Sequence, residues 1–195
     1  QHWFGTDVHG RDLLTRVFHG ARISLLVGVV GAGVALFIGV SWGAVAGYAG
    51  GRIDAVMMRT VDVLYSMPSI IFVIVLITTL NEVLRRWLAQ VANETVAAWT
   101  PMLFLFAGLG AVSWLTMARI VRGQVLSLRQ RAFVQASRAL GASHLHILLR
   151  HILPNILNVV IVYVTLTVPA VILYESFLSY LGLGIQPPMA SWGTL

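Results

Sequence analysis

Among the side chains able to do chemistry, the histidines are the most closely grouped: His144, His146 and His151 fall within eight residues. Imidazole is a common metal ligand. Yet no acid lies near these three in sequence, and positions 144 and 146 do not share a helix face. Contacts with lipid headgroups or with the dipole at a helix C-terminus suit them better, and no metal site is predicted. Glu175 is the acid placed closest to hydrocarbon, directly after a long apolar run. An ionisable group there is costly and tends to face a cavity or a partner. Glu175 is therefore a candidate pore or gate residue, with a solvated carboxylate at the membrane interface as the alternative. Asp62 follows Arg59 by three residues, the spacing of a local helical ion pair. Covalent and hydrolytic chemistry lacks its usual groups. There is no lysine for a phosphate loop or a Schiff base, and no cysteine for a thiolate, disulfide or metal. His-Glu-x-x-His and Gly-x-Ser-x-Gly are missing, and Gly182-Leu183-Gly184 lacks the strand and helix of a dinucleotide fingerprint. Asn93-Glu94-Thr95 fits a glycosylation sequon and nothing more. No catalytic residue is predicted, and no cofactor is expected on this chain.

The elements that must position these residues are apolar helices. Hydrophobic residues make up 58% of the chain and charged residues 10%, against about 25% charged in an ordinary soluble domain. Mean hydropathy is +0.85. Such a chain cannot cover a water-facing surface, so lipid is the solvent for most of it. The net charge of +6 comes from thirteen basic residues, all arginine. They are not spread over a polar face, and nucleic acid is not predicted as a partner. Four uncharged stretches, 23–50, 63–81, 95–118 and 152–174, reach the roughly 20 residues a spanning helix needs. Backbone groups in hydrocarbon must pair internally, and the alternation of a barrel strand is missing. The predicted fold class is therefore an all-α integral membrane protein, a polytopic helical bundle forming one domain over 1–195. The stretch 176–195, with Gly182, Gly184, Pro187 and Pro188, reads as a re-entrant or interfacial segment. Pro68 is expected to kink the second span and could shape a path through the bundle. Trp99 and Trp114 lie near the two ends of the third, as interface anchors do. Gly31, Ala35, Gly39, Gly43, Gly47 and Gly51 recur every four residues. With Gly39, Gly43 and Gly47 at its centre, this stripe lets another helix approach closely. It serves either a moving subunit interface or static packing within one bundle.

Residues 119–151 hold six arginines and no acid, which makes this loop cytoplasmic by the positive-inside rule. Alternation then places 82–94 outside, a short turn at 51–59 inside and the N-terminal segment outside. An external N-terminal segment that opens at Gln1 without a signal peptide leads us to expect a fragment of a longer protein. Within the loop, 131–142 reads as a short amphipathic helix. Phe133, Ala136 and Leu140 fall near one face, with Arg131, Gln135 and Arg138 around the other. Gly141 suits the left-handed residue that ends a helix. Ser143 suits the N-cap of a second segment, 144–153, and Pro154 leads into the last span. An apolar face held outside the membrane needs a cover, either lipid headgroups or a cleft on a soluble partner.

The residues of this loop resemble a known signature. Gln135-Ala136-Ser137, then Gly141, Ile147 and Ile152-Leu153-Pro154 are similar to the EAA loop of binding-protein-dependent ABC importers. The wider resemblance is to the dipeptide and oligopeptide permease subunits of the C-type position, and it covers nearly the whole chain. It is carried by Phe4-Gly5-Thr6-Asp7, Gly10-Arg11-Asp12-Leu13, Gly20-Ala21-Arg22-Ile23-Ser24-Leu25, and Ala46-Gly47-Tyr48 with Gly50-Gly51 and Asp54. Further on, Phe177-Leu178-Ser179-Tyr180-Leu181-Gly182-Leu183-Gly184, Gln186-Pro187-Pro188 and Ser191-Trp192-Gly193 continue it.

The resemblance implies a MetI-like permease in a bacterial or archaeal cytoplasmic membrane, with spans two to five of six present here. It implies a heterodimeric pore with a second permease subunit, two ATP-binding subunits that carry ATP and magnesium, and an extracytoplasmic solute-binding protein. Phe133, Gln135, Ala136, Ser137, Leu140 and Gly141 would form the coupling helix that docks into an ATP-binding subunit. The family's usual Glu-Ala-Ala is Gln135-Ala136-Ser137 here, so an ionic contact at this position is replaced by a hydrogen bond at most. Peptides are the expected cargo; similar permeases carry glutathione or nickel chelates. An ATP-independent secondary transporter would favour buried acids within the spans and an internal repeat. A membrane enzyme would need the missing constellations, and a non-transporting scaffold is compatible with the sequence alone.

Overall fold

The computed structural model describes residues 2–7, 10–88, 94–185 and 191–195, without the side chains of 77, 80–107 and 111. The expectations for Asn93-Glu94-Thr95, Trp99 and Gln186-Pro187-Pro188 therefore lie outside the described residues and side chains. Among the described residues every element is helical, with one isolated antiparallel bridge between Thr6 and Asp12. In chain order they are α1 (Leu13–Ala49), α2 (Gly51–Ser66), α3 (Ser69–Leu88), α4 (Glu94–Arg129), α5 (Ala132–Ala139) and α6 (His144–His146). A π-helical turn (Ile147–Ile152) leads into α7 (Leu153–Tyr180), and a 3-10 turn (Trp192–Thr194) closes the chain.

Two helical runs, Leu13–Ala49 and His144–Tyr180, are each long and apolar enough to cross a membrane. Each has 37 residues, or about 55 Å at 1.5 Å per residue, well beyond a hydrocarbon core of about 30 Å. The expected span at 63–81 is not one helix. Proline restricts the residue before it to extended conformations; Met67 is extended (φ −81°, ψ 137°), so α2 stops at Ser66 and α3 starts afresh at Ser69. Gly51–Ser66 and Ser69–Leu76 pass the same length and hydropathy test only together, across this break, so the described spans number two, or three where the bent pair counts as one. The expected turn at 51–59 is likewise helical from Gly51 onward, and 176–180 belongs to α7.

The chain forms two compact units, one from residues 1–31, 70–110 and 167–195, the other from 32–69 and 111–166. In the first, Gly28 and Gly31 of α1 lie against Ile172, Val168 and Val171 of α7, so close that a methyl group at Gly28 would sit 2.7 Å from the Ile172 side chain. Ahead of α1, Asp7 pairs with Arg16, and Asp12 accepts from the hydroxyl and the backbone N–H of Thr15. Those two bonds, the hydroxyl first, hold the Asp12 carboxyl below its ordinary value.

In the second unit the stripe of small residues meets α4. A Cβ on Gly39 would lie 2.6 Å from Met117 Cβ, one on Gly43 would strike the Ala118 carbonyl, and one on Gly47 would lie 2.8 Å from the Arg122 carbonyl. Gly39, Gly43 and Gly47 thus pack against α4 within the chain. Around this contact lie two apolar clusters. One joins Ala44, Met117, Val121, Val125, Val134, Ile147, Ile152 and Ile156. The other joins Ala35, Val61, Trp114, Leu115 and Ala118. Trp114 is buried and meets Trp42 edge-on at 5.3 Å. It is a core residue, and not the interface anchor its position near a span end suggested.

Candidate functional site

The arginine-rich segment divides in two. Its first third is not loop: α4 continues as helix through Arg129. Three of its arginines bind groups on other helices of the second unit. Arg122 grips the buried Asp54 of α2 with Nε and Nη2. Arg119 Nη2 donates to Asp62 at 2.8 Å, and the guanidinium carbon Cζ lies 4.1 Å from the Tyr65 ring centre. Asp62 is therefore held across to α4, and not by Arg59 as the helical spacing suggested. Arg129 Nη1 donates to the carbonyls of Tyr48 at 2.9 Å and Gly47 at 3.4 Å. This places a cation on the last unsatisfied carbonyls of α1, where the helix dipole favours positive charge.

Beyond Arg129 the chain turns into α5, eight residues long and four shorter than the expected helix: Ala132–Ala139 in place of 131–142. Its end is a Schellman motif. Gly141, at φ +80°, donates to the Arg138 carbonyl, and Ala142 N–H donates to the Ser137 carbonyl. Ser143 then caps the next segment, its hydroxyl accepting from His146 N–H at 3.3 Å. The following turn widens to π geometry, with Leu153 N–H bonded to Leu148 O. Pro154, which has no N–H and whose ring crowds the carbonyl four residues back, follows at once. The wider turn gives that ring room.

One residue fastens α5 to the core. Val134 is 0% exposed and packs with Met117, Val121, Val125 and Ile147. The opposite side is open: Phe133 is 42% and Leu140 88% exposed, with Gln135, Ala136 and Gly141 also exposed and Ser137 half-buried. Gln135 Nε2 donates to the Gln130 carbonyl at 3.2 Å. All six residues singled out from the sequence thus lie on one short helix and its terminating turn. Sequence reading missed Val134, which fixes that helix, and Tyr48, whose hydroxyl lies 3.0 Å from His144 Nδ1. A signal for the ion pairs was present. Asp54 and Asp62 stand eight residues apart, two helical turns, and Arg119 and Arg122 three apart, so each pair lines one face.

The histidines do not converge. His144 meets Tyr48, while the rings of His146 and His151 lie edge-on at 5.7 Å. Among the described residues no three His, Cys, Asp or Glu side chains are grouped to hold a metal.

Glu175 lies in the first unit and is 0% exposed, so it is not a solvated interfacial carboxylate. Its Oε2 accepts from Ser24 Oγ at 3.0 Å and its Oε1 from Ser179 Oγ at 2.6 Å. The two serines in turn accept from Trp192 N–H and Ile185 N–H. Buried charge is tolerated only where such donors replace water. The network closes α1 and α7 onto the segment after α7, where Gly184 and Gly193 touch Ser179 and Ser176 so closely that no Cβ fits.

Comparison with known proteins bears on the same segments. Residues 35–195 match the family described as binding-protein-dependent transport system inner membrane component. An oligopeptide transport system permease protein, OppC, of Escherichia coli is 49% identical across 100% of this chain and 58% of its own length. The OppC of Haemophilus influenzae is 47% identical across 100% of this chain and 57% of its own. A dipeptide transport system permease protein, DppC, of Bacillus subtilis is 47% identical across 100% and 55%. The chain thus spans little more than half the length of the curated relatives it matches. An all-helical chain with membrane-spanning runs and this match over most of its length belongs to the family of binding-protein-dependent transport system inner membrane components.

Proposed function

We propose that this chain is the membrane-spanning part of an ATP-driven importer of peptides, forming half of the translocation path and taking its drive from a separate ATP-binding subunit through α5. The observation that carries this reading is the division of α5 into a buried anchor, Val134, and an uncovered apolar tip, Phe133 and Leu140. An apolar helical tip anchored on one side is suited to fill a cleft on a soluble protein, and truncating such anchors costs most of an interface's energy. The names of the relatives, oligopeptide and dipeptide permeases, support peptides as cargo. ATP and magnesium belong to the partner in this reading, and the other partners are a second permease subunit and an extracytoplasmic solute-binding protein in a bacterial or archaeal cytoplasmic membrane.

Pro68 and Glu175 enter the reading as path-shaping positions. Pro68 sets the break between α2 and α3. Glu175 is sealed in this conformation, so a gating part for it requires its serine bonds to open. The test is isolation of the full-length protein from native membranes. An ATP-binding subunit and peptide-stimulated ATP hydrolysis should accompany it, and Gly141→Asp should uncouple hydrolysis from uptake. A full-length protein that never retains an ATP-binding subunit overturns the reading.

A further inference from the structure

Tyr48, the penultimate residue of α1 and three residues before α2 begins at Gly51, is in contact with both sides of the Gly141 turn. Its hydroxyl lies 3.0 Å from His144 Nδ1, in α6 after the turn, and the two rings meet edge-on at 5.8 Å. The Arg138 guanidinium, in the last turn of α5 before it, lies 5.4 Å from the centre of the same ring, within the range of a cation–π contact. The backbone carbonyl of Tyr48 is held by Arg129, the last residue of α4. One residue at the end of α1 is therefore tied to the chain at three points, before, within and after the proposed docking segment. Gly50 (φ +68°) keeps the approach open, because a Cβ there would lie 2.6 Å from Arg129 Nη1.

We propose that Tyr48 is the positioning residue that passes displacement of α5 to α1. Val134 holds α5 to the core by apolar contact, which permits sliding. Tyr48 adds two directional contacts that straddle the Gly141 turn, so α5 and α6 cannot change their mutual angle without moving the end of α1. The arginine bond to its carbonyl stiffens that end and delivers the motion along the helix axis. This inference rests on the docking role proposed for α5 and names how the motion leaves it.

The test uses the full-length permease with its partner subunits and binding protein in proteoliposomes, and reads peptide transported per ATP hydrolysed. Tyr48→Phe removes the hydroxyl contact and keeps the ring; Tyr48→Leu removes both. Each should retain ATP-binding subunits at the wild-type stoichiometry. The ratio should fall about threefold for Tyr48→Phe, the scale of one net hydrogen bond, and further for Tyr48→Leu. His144→Phe should match Tyr48→Phe, and the double variant should be no worse than either, since one contact is lost in all three. Should Tyr48→Leu fail to assemble, Tyr48→Phe and the double variant carry the test alone. A wild-type ratio in Tyr48→Phe, or additive losses in the double variant, overturns the proposal while leaving the docking role intact. Absence of the ATP-binding subunit from the wild-type complex removes the docking role itself.

Discussion

A methyl group on Gly43 would clash with the Ala118 carbonyl oxygen, whereas one on Gly33 meets nothing within 4 Å. Both glycines lie inside α1 and belong to the same unit, so the pair separates packing from backbone effects. Gly43→Leu must push α4 away or distort α1, and overpacking of this kind costs about 1–3 kcal/mol. Gly33→Ala meets no obstacle and removes the flexibility of a helical glycine, a gain of about 0.5–1 kcal/mol. In detergent, thermal unfolding of Gly43→Leu should begin several degrees below wild type and that of Gly33→Ala at or above it. Equal behaviour of the two variants would show that the α1–α4 contact does not limit stability. The arginines obey the same distinction between environments. Arg119, Arg122 and Arg129 are bound to Asp62, Asp54 and the α1 carbonyls, so only part of the positive charge counted for topology remains on the outer face of the segment.

At the scale of the element, α5 and its C-cap offer two apolar positions with opposite surroundings. Val134 has no exposed surface, and Leu140 has 88%. An aspartate at 134 would be buried without a partner, a change that costs several kcal/mol, and Val134→Asp should yield little folded protein. Leu140→Asp stays in solvent and should leave the detergent-solubilised chain monodisperse while releasing the ATP-binding subunit from the complex. Retention of that subunit by Leu140→Asp would exclude the tip of α5 from docking. This helix also shows which features the sequence made legible. Its existence, its stop at Gly141 and the cap at Ser143 could be read because each depends on local backbone chemistry. The break at Pro68 was legible as a kink, and its depth as a full interruption depended on Met67 becoming extended. What stayed hidden was long-range. Helical spacing offered Arg59 to Asp62, and only the packing of α2 beside α4 puts Arg119 there in its place. Periodicity pointed to Phe133 and Leu140 as the apolar face, yet burial fell on Val134, because the cluster it enters is assembled from α1, α4 and the turn before α7. Trp114 was misread for the same reason, since distance along a span says nothing about which neighbour, here Trp42, will cover the ring.

For the whole molecule the open contrast is between ATP and an ion gradient as the source of energy. A gradient-driven carrier needs an ionisable group that exchanges its proton or ion with both sides of the membrane, and such groups mark the transport path. The buried acid best placed for that, Glu175, has each carboxylate oxygen occupied by a serine hydroxyl, and both serines are themselves held by backbone N–H groups of the segment after α7. Every donor in that network has a structural acceptor, an arrangement that fixes segments in place and gives an ion nothing to displace cheaply. The buried acid of the second unit, Asp54, has both carboxylate oxygens bound by Arg122. On the proposed reading, drive arrives from outside the spans through α5, the anchored element with an uncovered apolar tip. The full-length complex in proteoliposomes loaded with ATP should therefore accumulate peptide at an undiminished rate after an uncoupler has collapsed the proton gradient. Uptake that stops with the gradient while ATP is still present would transfer the energetic role to an acid such as Glu175, and Glu175→Gln would then abolish transport without loosening the ATP-binding subunit.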